Sequence, residues 1–327
     1  MRRLVVVAFL LAGCSAPAPI PPTDTFQSSP ASTAAAIRTP ASTPPPTQSP
    51  TPTPTLTPTP SPTPIPPKVV IISIDGLRPD GLLQADAPNI FAMAQRGAYT
   101  WDAQTTFPPA TLPGHASMLT GFAPDAHGVI WNDNYPDRAI AVPTIFATAH
   151  AAGLRTVMVV GKEKMQLFNV PGTVDSYVYA TEGDRDVADK AIAEIESGFD
   201  LMFVHLPNVD FFGHSTGWMS ETYLFEITQT DKAVGRIFAA LPENTTIILT
   251  ADHGGRGAGH GSNIPENMTI PWIISGPGVV SDYEIGSSVE ITDTAATASY
   301  ILGLSLPLDV DGQPVYEAFG AAATPTP

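Results

Sequence analysis

An apolar run in the C-terminal half of the chain leads into a glycine-rich loop that carries two histidines, in Leu249–Ser262 (LTADHGGRGAGHGS). The run begins at Thr245, is rich in β-branched residues, and is typical of a buried strand. It ends at Asp252 and His253, and His260 follows after six residues. Side chains of these types at a strand end can hold a metal ion or move a proton, whereas the glycines alone indicate no more than a tight surface turn.

Two further apolar runs lead to the same kinds of side chain. The run Lys68–Asp75 (KVVIISID) ends in an acid, and Asp200–His205 is followed by Asp210 and His214 in VDFFGH. Because Asp210 and His214 are four positions apart, one helical turn would place both side chains on one side. Three carboxylates and three imidazoles then form a mixed oxygen and nitrogen ligand set, which suits zinc or manganese better than calcium. The set is Asp75, Asp210, Asp252, His214, His253 and His260.

A hydroxyl group near a helix start is the other candidate for chemistry. In FPPATLPGHASMLTG (Phe107–Gly121), Pro113 suits the first turn of a helix and Thr111 its N-terminal edge. The hydroxyl would there lie beside free backbone N–H groups and the positive end of the helix dipole, a favourable place for phosphate. The spacing alone nevertheless favours the simpler role of a helix-capping threonine.

These residues belong to an alternation of strand-like and helix-like segments. The strand-like runs are Lys68–Asp75, Thr156–Val160, Asp200–His205, Thr245–Ala251 and Ile270–Ser275. The helix-like segments are Pro88–Arg96, Pro143–Ala152, Asp184–Glu196 and Ser220–Ala240. Such alternation predicts an α/β fold with a doubly wound, mostly parallel sheet and helices on both faces. Ligands of such sheets bind beyond the carboxyl ends of the strands, which is where the candidate metal ligands fall.

Residues 1–67 differ in composition from the rest of the chain. A basic start, a short apolar stretch and Cys14 have the layout of a signal peptide over residues 1–13, and Leu11–Cys14 (LAGC) resembles the lipobox of bacterial lipoproteins. Half of the 36 prolines precede Lys68, so residues 14–67 are predicted to form a disordered tether and residues 321–327 a disordered tail. We therefore expect a domain at 68–320 that lipidated Cys14 anchors to the extracytoplasmic side of a bacterial cell membrane. An ordinary signal peptide with a chance cysteine is the alternative.

The charge of the chain limits its partners. It has 15 basic and 31 acidic residues, which give a formal net charge of −16 at pH 7. A charge of this sign argues against a general basic surface, so no nucleic-acid polymer is expected as a partner. A local site can still hold a phosphate, and bound cations would neutralise part of the acidity. The single cysteine excludes an intramolecular disulfide.

Six motifs, in order along the chain, together resemble the nucleotide pyrophosphatase/phosphodiesterase family of the alkaline phosphatase superfamily. They are DGLRPD (75–80), FPPATLPGHASMLTG (107–121), HGVIWN (127–132), VDFFGH (209–214), TADHGG (250–255) and GHG (259–261). The resemblance covers most of Lys68–Phe319. It implies an alkaline phosphatase-like fold and a metal-dependent hydrolase of phosphodiester or pyrophosphate bonds in small, nucleotide-like substrates.

The resemblance also implies roles for particular residues. Two divalent ions are expected, with zinc as the expected metal. One would be held by Asp210, His214 and His260, and the other by Asp75, Thr111, Asp252 and His253. Thr111 would attack phosphorus and form a phosphothreonine intermediate, and Asn132 would contact a phosphate oxygen. Two successive in-line displacements would give net retention at phosphorus.

The sequence leaves other functions open. They are a phosphomonoesterase, a phosphonate hydrolase or a sulfatase-like hydrolase of the same superfamily, or a noncatalytic surface lipoprotein. Sulfatases resemble one another in a C/S-x-P-x-R motif, which Thr111–His115 (TLPGH) does not match. A monoesterase must offset extra negative charge on its substrate, and the motifs contain no obvious cation for this, with Arg78 and Arg256 nearest in sequence. A preference for diesters is therefore expected.

Aromatic residues near the motifs are candidates for a surface that stacks on a nucleobase, although the core or the rim is the commoner place for each. They are Phe107, Trp131, Tyr135, Phe168 and Phe211.

Overall fold

The structure is a computed structural model that describes residues 66–320. Its strands in chain order are β1 (Lys68–Ile74), β2 (Ala98–Gln104), β3 (Thr156–Val160), β4 (Ser176–Tyr179), β5 (Leu201–Leu206), β6 (Thr245–Thr250), β7 (Thr269–Ser275) and β8 (Tyr283–Glu284). They form one eight-stranded sheet in the order β4-β3-β5-β1-β6-β7-β2-β8.

The sheet is mostly parallel, as the sequence predicts. Strand β1 lies at its centre and pairs in parallel with both β5 and β6, and β3 pairs in parallel with β4 and β5. Strand β7 runs antiparallel between β6 and β2. The five predicted strands match the observed ones to within one residue at each end. Strands β2, β4 and β8 were not predicted, because they are short or half-exposed and lack a continuous apolar run.

Helices form two groups around this sheet. They are α1 (Pro79–Gln84), α2 (Pro88–Gln95), α3 (Thr111–Thr120), α4 (Pro124–His127), α5 (Ile145–Ala151), α6 (Asp184–Ser197), α7 (Asn208–Thr216), α8 (Glu221–Ala240), α9 (Pro265–Met268) and α10 (Asp293–Leu302). Helix α8 contacts α1, α2, α6 and α7, whereas α3 contacts α4, α5 and α10. This grouping fits a doubly wound fold with helices on both faces, and the expected fold class is confirmed.

The central strands are apolar because both of their faces are covered. Every residue of β5 and all residues of β1 after Lys68 are buried. Each fully buried Val, Leu or Ile side chain contributes about 1.5–3 kcal/mol to the free energy of unfolding, relative to an exposed one. Polar side chains can therefore collect only where these strands end, and this is where the site forms.

Several predictions concern residues outside 66–320. The signal peptide (1–13), lipidated Cys14, nearly all of the tether (14–67) and the tail (321–327) lie outside the described residues and stay predictions. Within residues 66–320, no helix is both long and apolar enough to span a bilayer.

Helix α3 lies very close to the segment that follows β6. A Cβ atom added at Gly114 would lie 2.5 Å from the backbone oxygen of Asp252 and 3.1 Å from its Cβ. This contact sets the spacing between the two segments that carry Thr111 and His253.

We expect Gly114→Ala to lower the free energy of unfolding by about 1–3 kcal/mol, because the added methyl group must push α3 away from a buried backbone. Chemical denaturation measures this change. Gly286→Ala is the matched control, since its Cβ would make only an ordinary 3.4 Å contact with Glu317. Equal stability of the two variants would contradict the tight packing of α3.

Candidate active site

The predicted metal ligands meet at one edge of the sheet. Asp75 follows β1, Asp252 and His253 follow β6, and α7, which begins two residues after β5, carries Asp210 and His214. Because β5, β1 and β6 are parallel neighbours, their carboxyl ends lie side by side. The glycine-rich loop after β6 brings His260 back to the same place.

One group of possible ligands consists of Asp210, His214 and His260. A ligand atom from each lies within 4.8 Å of the other two. Asp210 Oδ1 is 3.4 Å from His214 Nε2 and 3.9 Å from His260 Nε2. His214 Nδ1 lies 2.9 Å from the backbone oxygen of Ala258, and His260 Nδ1 lies 2.8 Å from that of Pro109. These carbonyl oxygens can only accept a hydrogen bond. Each Nδ1 therefore carries the proton, and each Nε2 keeps a lone pair for a ligand.

A second, fully buried group consists of Asp75, Asp210 and His253, with Asp252 beside it. His253 Nδ1 donates to the oxygen of Gly254 at 2.7 Å. Its Nε2 lies 3.5 Å from Asp75 Oδ1 and 3.3 Å from Asp252 Oδ2. Burial lowers the pKa of His253, so the ring is neutral and turns a lone pair toward carboxylate oxygens. Such an arrangement is repulsive unless a cation lies between these atoms.

The buried atoms without a hydrogen-bond partner test whether a metal fits here. Residues 66–320 contain ten such side-chain atoms. Four of them belong to the ligand residues, and a fifth lies on the first residue of α3, the helix that packs against Asp252 through Gly114. These five are Asp75 Oδ1, Thr111 Oγ1, Asp210 Oδ1, Asp252 Oδ2 and His253 Nε2. An unpaired buried polar atom costs about 1–3 kcal/mol, so five together require an external partner. Divalent cations satisfy this oxygen and nitrogen set, and the residues present fit them.

A lysine that the sequence analysis missed already supplies one positive charge. Lys162 Nζ lies 2.8 Å from Asp75 Oδ2 and 2.6 Å from Asp210 Oδ2. Burial opposes its charge, but the nearby carboxylates of Asp75 and Asp210 outweigh burial and raise the pKa of Lys162. For Asp75, burial alone would raise the pKa, but Lys162 and His205 hold that pKa well below its ordinary value. Lys162 follows predicted strand β3 by two residues, so its position at a strand end was the available signal.

The six motifs themselves contain no cation that is free at the predicted phosphate position, but the segment after β3 supplies two nearby. Arg78 contacts Asp80 at 2.6–2.8 Å and the oxygen of Gly255 at 2.9 Å, and Arg256 is 67% exposed beside Glu266. The nearby cations are instead Lys162 and Lys164, from the loop and 3-10 helix after β3. Burial and the neighbouring Lys162 lower the pKa of Lys164.

Thr111 and Asn132 lie together at the start of α3. Thr111 is the first residue of the helix and is 1% exposed. The backbone N–H of Leu112 donates to Asn132 Oδ1 at 3.0 Å, and Lys164 Nζ donates to the same oxygen at 3.1 Å. These two donors orient the amide, so Asn132 Nδ2 is the group left to donate to a ligand.

Further buried side chains hold the ligands in place. His205 Nε2 donates to Asp75 Oδ2 at 2.8 Å, while His205 Nδ1 accepts from the N–H of Gly161. Trp218 donates to the oxygen of Gly76 at 2.9 Å, directly after Asp75. Neither His205 nor Trp218 was predicted, because each lies far in sequence from the residue it supports.

A known protein family matches the part of the chain that carries these site residues. The sequence profile of type I phosphodiesterase / nucleotide pyrophosphatase matches residues 69–262, more than half of the chain. The chain belongs to this family. The matched range includes all seven predicted metal-ligating residues and Asn132, and the predicted family membership is confirmed.

Curated relatives are longer proteins. The chain is 28% identical, in an alignment 285 residues long, to the catalytic subunit of human GPI ethanolamine phosphate transferase 2. The alignment covers 76% of this chain and 28% of the relative. The chain is 26% identical, in an alignment 220 residues long, to an uncharacterized pyrophosphatase/phosphodiesterase of Schizosaccharomyces pombe, and this alignment covers 57% of this chain and 44% of the relative. The chain thus spans less than half the length of these relatives.

Solved structures share the fold. Murine ectonucleotide pyrophosphatase / phosphodiesterase 5, in an inactive form in complex with AMP, has a TM-score of 0.65 at 16% identity, covering 74% of this chain and 96% of that one. A 2-O GAG sulfatase has a TM-score of 0.65 at 18% identity, covering 78% and 75%. The alkaline phosphatase-like architecture is therefore common to phosphodiesterases and sulfatases.

We expect Lys162→Met to lower the stability of the metal-free protein by on the order of 3 kcal/mol, because Asp75 and Asp210 lose their shared buried partner. Zinc should restore more stability to this variant than to wild type, since the ions take over the freed carboxylates. Thermal unfolding with a chelator and with added zinc measures both effects. Lys232→Met, at an exposed lysine of α8, is the control. A loss of the same size with and without zinc would show that Lys162 and the metal do not share these carboxylates.

Proposed function

We propose that the chain is a metal-dependent hydrolase of phosphodiester or pyrophosphate bonds that acts through a phosphothreonine intermediate on Thr111. The observation that supports this most is the convergence of five unpaired buried atoms, one of which is the Thr111 hydroxyl oxygen. A hydroxyl without a hydrogen-bond partner, beside carboxylates and a neutral imidazole, is a poor structural element. It is well placed as a nucleophile.

The residues divide into two ligand sets and a substrate-binding group. Asp210, His214 and His260 would hold one ion, and the second set would hold the other. That second set is Asp75, Thr111, Asp252 and His253. When bound, the two ions lower the pKa of the attacking hydroxyl and stabilise charge on the attacking and leaving oxygens.

The proposed chemistry then has two displacements. The Thr111 oxygen attacks phosphorus, the P–O bond to the leaving group breaks, and the leaving oxygen departs as an alcohol or phosphate. Asn132 Nδ2 donates to a non-bridging oxygen during this step. Water then attacks the phosphothreonine from the side opposite Thr111, which releases the phosphate product and restores the hydroxyl. Two inversions give net retention at phosphorus.

Transfer to an acceptor alcohol is a variant of the same second step. The relatives named GPI ethanolamine phosphate transferases motivate this possibility, in which an acceptor hydroxyl replaces water. Hydrolysis is preferred as the proposal because it requires no second substrate site.

Phosphomonoester hydrolysis is the second candidate. Lys162 and Lys164 favour it, because two lysines near Thr111 and Asn132 can offset the extra negative charge of a monoester. Sulfatase activity is not proposed, since Thr111 stands where a formylglycine precursor would be required.

The deciding experiment measures kcat/KM for bis-p-nitrophenyl phosphate, p-nitrophenyl phosphate and p-nitrophenyl sulfate. We expect the diester to be preferred, because the chain belongs to the type I phosphodiesterase / nucleotide pyrophosphatase family. Thr111→Ala should reduce turnover of the diester by at least about a thousandfold, as loss of a nucleophile does in other enzymes. Mass spectrometry of protein acid-quenched during turnover of the diester should detect one p-nitrophenylphosphoryl group on Thr111, because one ester of the substrate stays on phosphorus. Thr222→Ala, at an exposed threonine of α8, should leave kcat/KM unchanged.

Three results would contradict this function. A monoester or sulfate preference overturns the diesterase assignment, and an undiminished Thr111→Ala protein removes Thr111 as nucleophile. Elemental analysis that finds less than about one metal per chain, with no activity restored by zinc or manganese, contradicts the two-metal account.

We also propose that lipidated Cys14 anchors the protein to the extracytoplasmic face of a bacterial cell membrane, on the strength of the LAGC motif and the proline-rich segment after it. Fractionation should find wild type with membranes and a processed Cys14→Ser protein in the soluble fraction, because the acyl chains supply the membrane affinity. A soluble, unlipidated wild-type protein would exclude this anchor.

A further inference from the structure

We propose that a cavity beside Asn132 receives the part of the substrate attached to the scissile phosphate, and that it selects substituents carrying a second negative charge. This inference rests on the proposed function and names a substrate class for it. The cavity has a volume of about 320 Å³. Its decisive lining residues are Trp131, Asp133, Tyr135, Arg138 and Lys164, and we call it the Arg138 cavity.

The Arg138 cavity begins at the predicted phosphate position. Leu112 and Lys164 line it, and both donate a hydrogen bond to Asn132 Oδ1. Leu112 is also the residue after Thr111. A substrate whose phosphorus faces Thr111 and Asn132 therefore has this cavity directly beside it.

Arg138 is held in place by aromatic rings instead of a carboxylate. Its guanidinium carbon lies 4.6 Å from the centre of the Trp131 ring and 4.5 Å from that of Tyr135. Across residues 66–320, no carboxylate oxygen lies within 4.0 Å of a charged nitrogen of Arg138 or Lys164, whereas Arg78 and Arg236 are each paired with an aspartate. Stacking fixes a planar guanidinium and leaves its N–H groups for a ligand.

The charges in the Arg138 cavity favour an anion. Two cations, Arg138 and Lys164, face one carboxylate, Asp133, whose Oδ2 accepts from the Tyr135 hydroxyl at 3.3 Å. This local excess of positive charge occurs in a chain with a net charge of −16. A second phosphate or a carboxylate on the substrate would pair with both cations.

The aromatic residues that line the Arg138 cavity do not form an open surface on which a nucleobase can stack, the role for which the sequence made them candidates. Arg138 covers one face each of Trp131 and Tyr135. Phe168 is fully buried in the core, which is the commoner of the two places considered for it, and it is not part of a stacking surface. Phe107 and Phe211 are exposed, but they do not line the cavity. The cavity therefore recognises charge more than it recognises a base.

Three matched esters test this inference: phenyl p-nitrophenyl phosphate and its analogues with a para carboxylate or a para trimethylammonium group on the phenyl ring. We expect wild type to prefer the carboxylate ester over the phenyl ester by about fivefold in kcat/KM, mainly through KM, as for a partly exposed ion pair. Arg138→Gln should abolish this preference, Arg138→Lys should retain part of it, and Asp133→Asn should increase it. Arg96→Gln, at an exposed arginine on the C-cap of α2, should leave it unchanged.

Binding to the Thr111→Ala protein separates this inference from the proposed function. The Kd values of 4-carboxyphenylphosphonate and phenylphosphonate require no turnover, and the carboxylate should bind about fivefold more tightly. A binding preference retained by Thr111→Ala, together with no hydrolysis of any of these esters by the wild-type protein, would refute the proposed function alone. Equal binding, a preference that survives Arg138→Gln, or a preference for the trimethylammonium ester would overturn the role of the Arg138 cavity.

Discussion

The buried carboxylates at the ends of three parallel strands are the constraint on which the rest of the site depends. Asp75, Asp210 and Asp252 converge in a place that excludes water, where like charges repel strongly. Burial and the nearby Asp75 raise the pKa of Asp252 well above its ordinary value, whereas Lys162 helps to keep Asp75 ionised. One lysine does not offset three ionised carboxylates, and divalent ions fit the charge that the cluster would carry with Asp252 ionised.

The sheet and its surrounding loops stabilise this unfavourable cluster through contacts on the side of each ligand residue that faces away from the cluster. The carbonyl oxygens of Pro109, Gly254 and Ala258 fix the protonated nitrogen of the three histidines, so their other nitrogens face inward. Trp218 packs against the backbone near both the β1 and β6 ends, since a Cβ at Gly255 would lie 2.1 Å from its ring. These groups leave the ligands little freedom to move apart.

Phosphodiesterases and sulfatases share the fold of this chain. Both kinds of protein resemble this chain over about three quarters of its length, although sequence identity is below 20%. In this chain, position 111 carries threonine, the loop after β3 carries Lys162 and Lys164, and residues 131–138 form the Arg138 cavity. Charge and shape around the phosphate thus depend on segments that lie outside the core.

The sequence alone determined the five main strands, the fold class, the family and the set of ligand-type residues at strand ends. These features have local signals, because a strand buried on both faces must be a continuous apolar run and the motifs keep their order. Tertiary structure alone decided that Lys162 pairs with two aspartates, that His205 supports Asp75, and that Phe168 is core. It also decided that Arg138 stacks on Trp131 and Tyr135. The Lys162 and His205 contacts join different strands or loops, and the burial of Phe168 likewise depends on packing. The Arg138 contacts lie within one irregular loop, whose path no periodic pattern in the sequence indicates. Residue type and local spacing carry no information about which distant segments pack together.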